Sequence, residues 1–445
     1  MKKAGKIFLV LLLFFGAGRF IFSQEKITLT LEESIRLALS QNPFYLASKE
    51  KVEGANSLVR EAASRFFPSL NAQGTYIMDE KLFVLEFPSF IPGQPPQRVS
   101  IDFTKNYQLS LAFSLPLFSG GRLISGYKQA QYNLLSTKET VRQSKQETVF
   151  NVKSAFYGYL LAKKFVEATE EAVGLAEKHF TNVKNLYEVG MASKFDLLRS
   201  EVQVANLRPQ LIRARNSLSV AELSLKTLLG LDLSQAVEIK GELTYEPFEA
   251  NVDEVVTRAL LSRPEISQLE YQRQMAGEML KIVRAADLPT LAIGGNYSFW
   301  SNYLNIKERN WQSFYTFSLV LTVPIFNGFV TSAKIAQSKA TIKEIEFSQK
   351  GLAEMIKFEV KQAILNLNQA KESLLSQEKN VEQAQESVRI AELNFSEGLA
   401  TTLDVSSAQV ALTQAKTNYS QALFDYALSL AQLEKAMGIG WNENE

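Results

Sequence analysis

The chain has 445 residues, 48 basic and 47 acidic side chains, one histidine and no cysteine. Without cysteine there is no disulfide, no thiolate metal ligand and no lipid-bearing cysteine, and the near-neutral balance lacks the basic footprint of nucleic-acid binding. The single histidine, His179, has no partners in a triad or metal-ligand pattern and reads as a surface residue of a helix.

Residues 1–23 read as a secretory signal. Lys2, Lys3 and Lys6 precede an apolar run from Ile7 to Ala17, and small or polar residues follow near Ser23. The run is too short to span a bilayer as a helix, so cleavage near Ser23 or Gln24 is expected. Removing Lys2, Lys3, Lys6 and Arg19 from the 48 basic residues leaves 44 against 47 acidic, a net charge of −3.

The rest divides into a first unit, 24–230, a connector, 231–251, and a second version of the same unit, 252–445. Each unit opens on a helical segment, Leu31 to Arg65 and Val252 to Asp287, interrupted at Pro43 and at Pro264. Each segment ends at a further proline, Pro68 and Pro289, beyond which the apolar period changes from 3.6 to 2. Leu70, Ala72, Gly74 and Tyr76 alternate with Asn71, Gln73 and Thr75; Tyr107 to Leu115 alternates likewise. In the second unit Leu291 to Phe299 and Tyr315 to Leu321 do the same, giving four amphipathic strands per chain.

Strands of about ten residues with one apolar and one uncharged polar face suit a tilted crossing of a bilayer. Aromatic residues crowd their ends, with Trp300, Tyr303, Trp311 and Phe314 at one hairpin and Phe83, Phe87 and Phe90 at the other. The first hairpin loop, Met78 to Phe103, carries FPSFIPGQPPQ and is expected to be irregular and extracellular. The second strands end in matching words, LPLFSGGR with Pro116 and VPIFNGFV with Pro324.

Long helices follow. No proline occurs between Pro116 and Pro209 or after Pro324, so helices of ~100 Å are expected. A heptad stripe runs through Ile356, Val360, Ala363, Leu367, Ala370 and Leu374, and resumes from Leu412 to Leu433. Pro209 is expected to kink or restart the returning helix of the first unit.

Each helix turns back at a bend present in both units, LYEVGMASKFDLL and NFSEGLATTLDV. Gly190 and Gly398 sit where a helix ends on a left-handed residue. Ser193 and Thr401 are the expected N-caps, and Asp196 and Asp404 fall at capping-box spacing. Ala192 with Leu197, and Ala400 with Val405, occupy the positions of a hydrophobic staple.

Four strands do not close a barrel, and an open sheet leaves unpaired backbone groups in lipid at several kcal/mol each. The chain is therefore expected to oligomerise; two copies supply eight strands, a side-chain-filled barrel, and three supply twelve, with room for a channel.

The duplicated corner prolines, the words LPLFSGG and VPIFNG and the duplicated bends together resemble the TolC-like outer-membrane efflux channels over essentially the whole mature chain. The resemblance implies an α+β membrane protein: a homotrimer whose four strands per chain build a twelve-stranded barrel in outer-membrane lipid, continued by a periplasmic helical coiled-coil barrel. It implies the channel component of a tripartite efflux or type I secretion system, without enzymatic activity or cofactor. Its partners would be a periplasmic adaptor and an inner-membrane pump of RND or ABC type. It places adaptor docking at Gly190, Met191, Ala192, Ser193, Asp196 and Leu197 and at Gly398, Leu399, Ala400, Thr401, Asp404 and Val405. Asp404, with Asp196 as its counterpart, is expected at the entrance gate. Two departures, Ser407 for a second acid and Ala400 for an arginine, argue against a double acidic ring.

A non-transporting coiled-coil or adhesin protein of the envelope explains the heptads but not amphipathic hairpins bracketed by prolines in both units. An adaptor needs no lipid-facing strands. The segment GRLISGYK from Gly121 is no phosphate loop, since Tyr127 stands where lysine is required.

Overall fold

A computed structural model describes residues 27–78, 83–101, 105–249, 251–301, 304 and 311–439. The leader reading and Tyr303 lie outside them. A short strand β1 (Ile27–Leu29) precedes helices α1 (Leu31–Gln41) and α2 (Pro43–Ser64). Thr30 starts α1 with a complete capping box, its amide donating to Glu33 at 2.8 Å and its hydroxyl accepting from the Glu33 amide at 3.3 Å. At the break before Pro43, Asn42 caps α2 by accepting from the Tyr45 amide and donates its own Nδ2 to the Leu228 carbonyl at 2.8 Å.

The main sheet is built from β2 (Ser69–Met78), β5 (Lys105–Phe118), β7 (Thr290–Ser301) and β8 (Gln312–Thr322), antiparallel in that order. Between β2 and β5 lies a separate hairpin, β3 (Phe83–Phe87) with β4 (Gln97–Ile101). The loop is therefore not irregular throughout: its prolines are confined to 88–96, and the flanking residues are free to pair. Pro116 also departs from expectation, lying inside β5 beside a register shift between Pro116 and Phe118. Pro68 and Pro289 immediately precede strands, and Pro324 follows β8.

Register gives the sheet two chemically distinct faces. Asn71, Ala112, Asn296 and Thr316 form one cross-strand row, and Thr75, Gln108, Trp300 and Gln312 another. The opposite face aligns Ala72, Leu111, Tyr297 and Tyr315, and below them Leu70, Phe113, Gly295 and Phe317. Gly295 is required there, because a Cβ would stand 2.5 Å from the Phe113 ring. The apolar row is largely uncovered in a single chain, with Phe317 75% and Leu319 65% exposed.

From the sheet descend α3 (Arg122–Glu188) and α7 (Val330–Ser396), each of 67 residues, returning as α4 (Lys194–Leu229) and α8 (Thr402–Ala436). At 1.5 Å per residue each descending helix is ~100 Å long. The helix α4 continues unbroken through Pro209, contrary to the expected restart. That proline lies on the exposed face, and packing of α4 along α3 through Val204 and Leu207 holds the helix across the missing rung.

The connector carries β6 (Val237–Ile239), paired in parallel with β1, and leads into α5 (Val252–Ser262) and α6 (Pro264–Arg284). Tyr426 of α8 pins it, donating from its hydroxyl to the Glu246 carbonyl at 2.6 Å and accepting from the Phe248 amide. The largest core lies at this level, where Phe156, Leu160, Val360, Leu367, Tyr426 and Leu433 meet. Towards the bends only small clusters remain, Ala172, Ala176, Val204 and Leu207 in one hairpin and Val388, Ala408 and Leu412 in the other.

Candidate entrance at the helical bends

The two bends share one backbone solution. In the first, the Met191 amide donates to the Leu186 carbonyl at 2.7 Å and Gly190 adopts φ 78°. In the second, the Leu399 amide donates to the Asn394 carbonyl at 2.7 Å and Gly398 adopts φ 74°. Both are left-handed helix ends in which the amide after the glycine satisfies an orphan carbonyl. No atom lies within 4 Å of a Cβ built on either glycine, so conformation alone requires glycine there.

The caps differ. Thr401 accepts from the Asp404 amide at 3.3 Å, and the Asp404 carboxylate accepts from both the Thr401 amide at 2.8 Å and its hydroxyl at 2.7 Å. Ser193 accepts from the Asp196 amide at 3.1 Å and donates its hydroxyl to the carboxylate, but the reciprocal backbone bond is missing. The Thr401 hydroxyl and amide hold the Asp404 carboxyl below the usual carboxylate range.

The site residues split by exposure. Gly190, Met191, Ser193, Gly398, Leu399, Thr401 and Asp404 are exposed, while Ala192, Asp196, Leu197 and Ala400 are half-buried. Val405 is fully buried, so in this conformation it packs the bend and offers no contact to a partner. Sequence reasoning passed over the apolar neighbours Val189 and Phe195, 69% and 67% exposed. Their signal was present: both are large apolar residues where a solvated turn calls for polar ones. A groove of about 1110 Å3 between α7 and α8 brings Asp404, Ser407 and Ala400 together with Glu382 and Glu386, two further acids.

The surface reading of His179 fails. The ring is only 6% exposed, sits edge-on to Phe395 of α7 at 5.0 Å, and its Nε2 has no hydrogen-bond partner among the described residues. Burial pushes its pKa down, opposed by the nearby Glu392 carboxylate. One helical hairpin gives no hint of this, because the burial comes from the other unit. Among the described residues no group of three or more His, Asp or Glu side chains is placed to hold a metal ion.

The profile of the family described as outer membrane efflux protein matches residues 34–231 and 255–439. The toluene efflux pump outer membrane protein TtgC of Pseudomonas putida is 24% identical over 421 residues, covering 93% of this chain and 84% of that protein. The outer membrane protein TolC of Vibrio cholerae is 24% identical over 367 residues, covering 76% of this chain and 81% of its own. The crystal structure of the Campylobacter jejuni CmeC outer membrane channel superposes with a TM-score of 0.76 at 16% identity, over 93% of this chain and 87% of that one.

Proposed function

Because the chain belongs to the outer membrane efflux protein family, and is thus an outer-membrane channel protein rather than an enzyme, we propose that it is the exit duct of a tripartite export machine. Three copies close a twelve-stranded barrel, and their helices form one tube reaching across the periplasm. The bends at Gly190 and Gly398 dock a periplasmic adaptor that joins the duct to an inner-membrane pump. Asp404 lines the entrance, with Asp196 as its counterpart in the first unit.

The observation that carries this reading is the four-stranded sheet. One face is mainly apolar and the other mainly uncharged and polar, and its edge strands β2 and β8 have no partner strand among the described residues. In lipid such edges are tolerated only when another chain pairs them. Each further copy adds four strands, and three give a lumen wide enough to conduct.

The test is intact mass in mild detergent together with planar-bilayer conductance. Three copies per particle and a stable open-pore current are expected; a monomer that conducts would overturn the reading.

A further inference from the structure

We propose that the junction between sheet and helices is a binding site for anionic phospholipid of the membrane's periplasmic leaflet, with the phosphate held by Arg122 and Lys334. The proposal rests on the outer-membrane channel reading and adds a ligand and its residues.

Basic residues outnumber acidic ones at this level. The helix ends and corners adjoining the strands, 58–67, 119–130, 278–288 and 326–339, hold eight basic and three acidic side chains. The segments around the two bends, 180–200 and 388–405, hold four basic and five acidic ones. The positive excess at the junction thus sets it apart from the bends, where acids outnumber bases. Arg65 is paired with Glu61 and Lys281 with Glu278, but Arg122 and Lys334 have no carboxylate partner among the described residues.

Beside these cations lie two grooves. One, of about 720 Å3, runs between α2, α3 and α6, with Leu58, Leu123, Met275 and Ile282 in its wall and the Glu61–Arg65 pair beside Arg122. The other, of about 450 Å3, lies between α6 and α7, lined by Met279, Ile282 and Val283. Arg122 borders both, and Lys334 borders the second. Apolar walls with a cationic rim match an acyl chain ending in a phosphate; a free anion needs no apolar wall.

The larger groove reaches the corner where the sheet begins. Tyr127, in the wall of the larger one, makes an edge contact with Phe66 at the corner before β2. Phe67, Ile325 and Phe326 at neighbouring corners are 70%, 90% and 74% exposed. Phe329 is the one non-glycine residue with positive φ, 64°, among the described residues, and it is 72% exposed. Its counterpart in the first unit is Gly121, at φ 85°. A largely exposed phenylalanine held in a conformation that favours glycine, its ring edge-on to Phe326 at 5.3 Å, fits a position where an aromatic anchor in the interface outweighs backbone strain.

The experiment is native mass spectrometry of the full-length protein in mild detergent, titrated with phosphatidylglycerol or phosphatidylcholine of the same acyl chains. Retention of phosphatidylglycerol is expected to exceed that of phosphatidylcholine. It should fall about fivefold in R122Q and about thirtyfold in R122Q/K334Q, from a surface attraction of about 1 kcal/mol per cation. The same charge change at the bend, R199Q, should leave retention unchanged. Gly126→Leu fills the larger groove without touching the charges; no atom lies within 4 Å of its Cβ, and leucine is the better helix former. It should also reduce retention. Equal retention of both lipids, equal loss in R199Q, or release of the lipid by millimolar inorganic phosphate would overturn the proposal. A chain that does not fractionate with the outer membrane would overturn the channel reading itself.

Discussion

The bends at Gly190 and Gly398 follow the same backbone path and differ in what their side chains do with it. At the second bend Thr401 and Asp404 exchange hydrogen bonds in both directions and Val405 is sealed beneath them; at the first, Ser193 and Asp196 complete half of that exchange and Leu197 stays half-buried. A duplicated trace is thus finished to different degrees, and the second bend is the more tightly determined of the two. Glycine sets the shape in both, whereas the cap and the packed residue set how firmly it is held.

The largest expected effect is common to both bends and would break the comparison if it were not. Gly190→Val and Gly398→Val each force a β-branched residue to φ near 75°, at about 1–3 kcal/mol. Export should fall in each while trimer and barrel still assemble, read by substrate efflux beside heat-resistant trimer on gels. Loss of barrel assembly would show that the bends also guide folding.

Next in size, Val405→Ala removes a fully buried side chain and should cost about 2 kcal/mol, against about 1 kcal/mol for Leu197→Ala, which is half-buried. Thermal unfolding of the two variants measures the difference, and equal shifts would erase the asymmetry.

Smaller again, Thr401→Ala should cost about 1 kcal/mol as a lost N-cap, and Ser193→Ala less. Local amide exchange in the first turn of α8 and of α4 reads the two losses separately.

The smallest effect is the most informative. The folded pKa of Asp404 lies below its ordinary value of 3.8, so its contribution is fully present above that pH and is lost as pH falls through the lower folded value. Within one chain, wild type and Asp404→Asn should therefore converge in stability only below pH 3.8. Repulsion among three such carboxylates at a closed entrance would move the convergence upward. Block of the channel by a multivalent cation from the periplasmic side would then weaken in Asp404→Asn and persist in Asp196→Asn. Equal small changes in the two variants would leave helix capping as the whole role of both acids.

Much of the fold was legible because it is written in local chemistry. Thr30, Thr401 and the bend glycines specify helix ends within a few residues, and two-residue alternation specifies all four strands of the sheet. What escaped was decided over distance. The three-residue pair β1–β6 carries no periodic signal and exists because segments more than 200 positions apart meet. His179 looks like any polar helix position until the second unit covers it. Pro209 marks a break by local rules, and tertiary packing overrides it. Composition averaged across the proline-rich loop hides its hairpin, because the prolines occupy only the tip between β3 and β4. At the candidate entrance, the capping residues were readable, but the exposure of Phe195 and the sealing of Val405 depend on which face each helix turns to its neighbour.

The equality of α3 and α7, 67 residues each, makes the molecule a ruler with two matched legs. Deleting one heptad from a single leg would raise its bend by about 10 Å relative to the other and slide one hairpin past its neighbour, out of register at Gln409 and Leu175. Deleting the same heptad from both legs and both returns would keep every lateral contact in phase and shorten the tube. Length in this architecture is therefore a paired variable, and a duct for a narrower or wider envelope is reached only by edits made in fours.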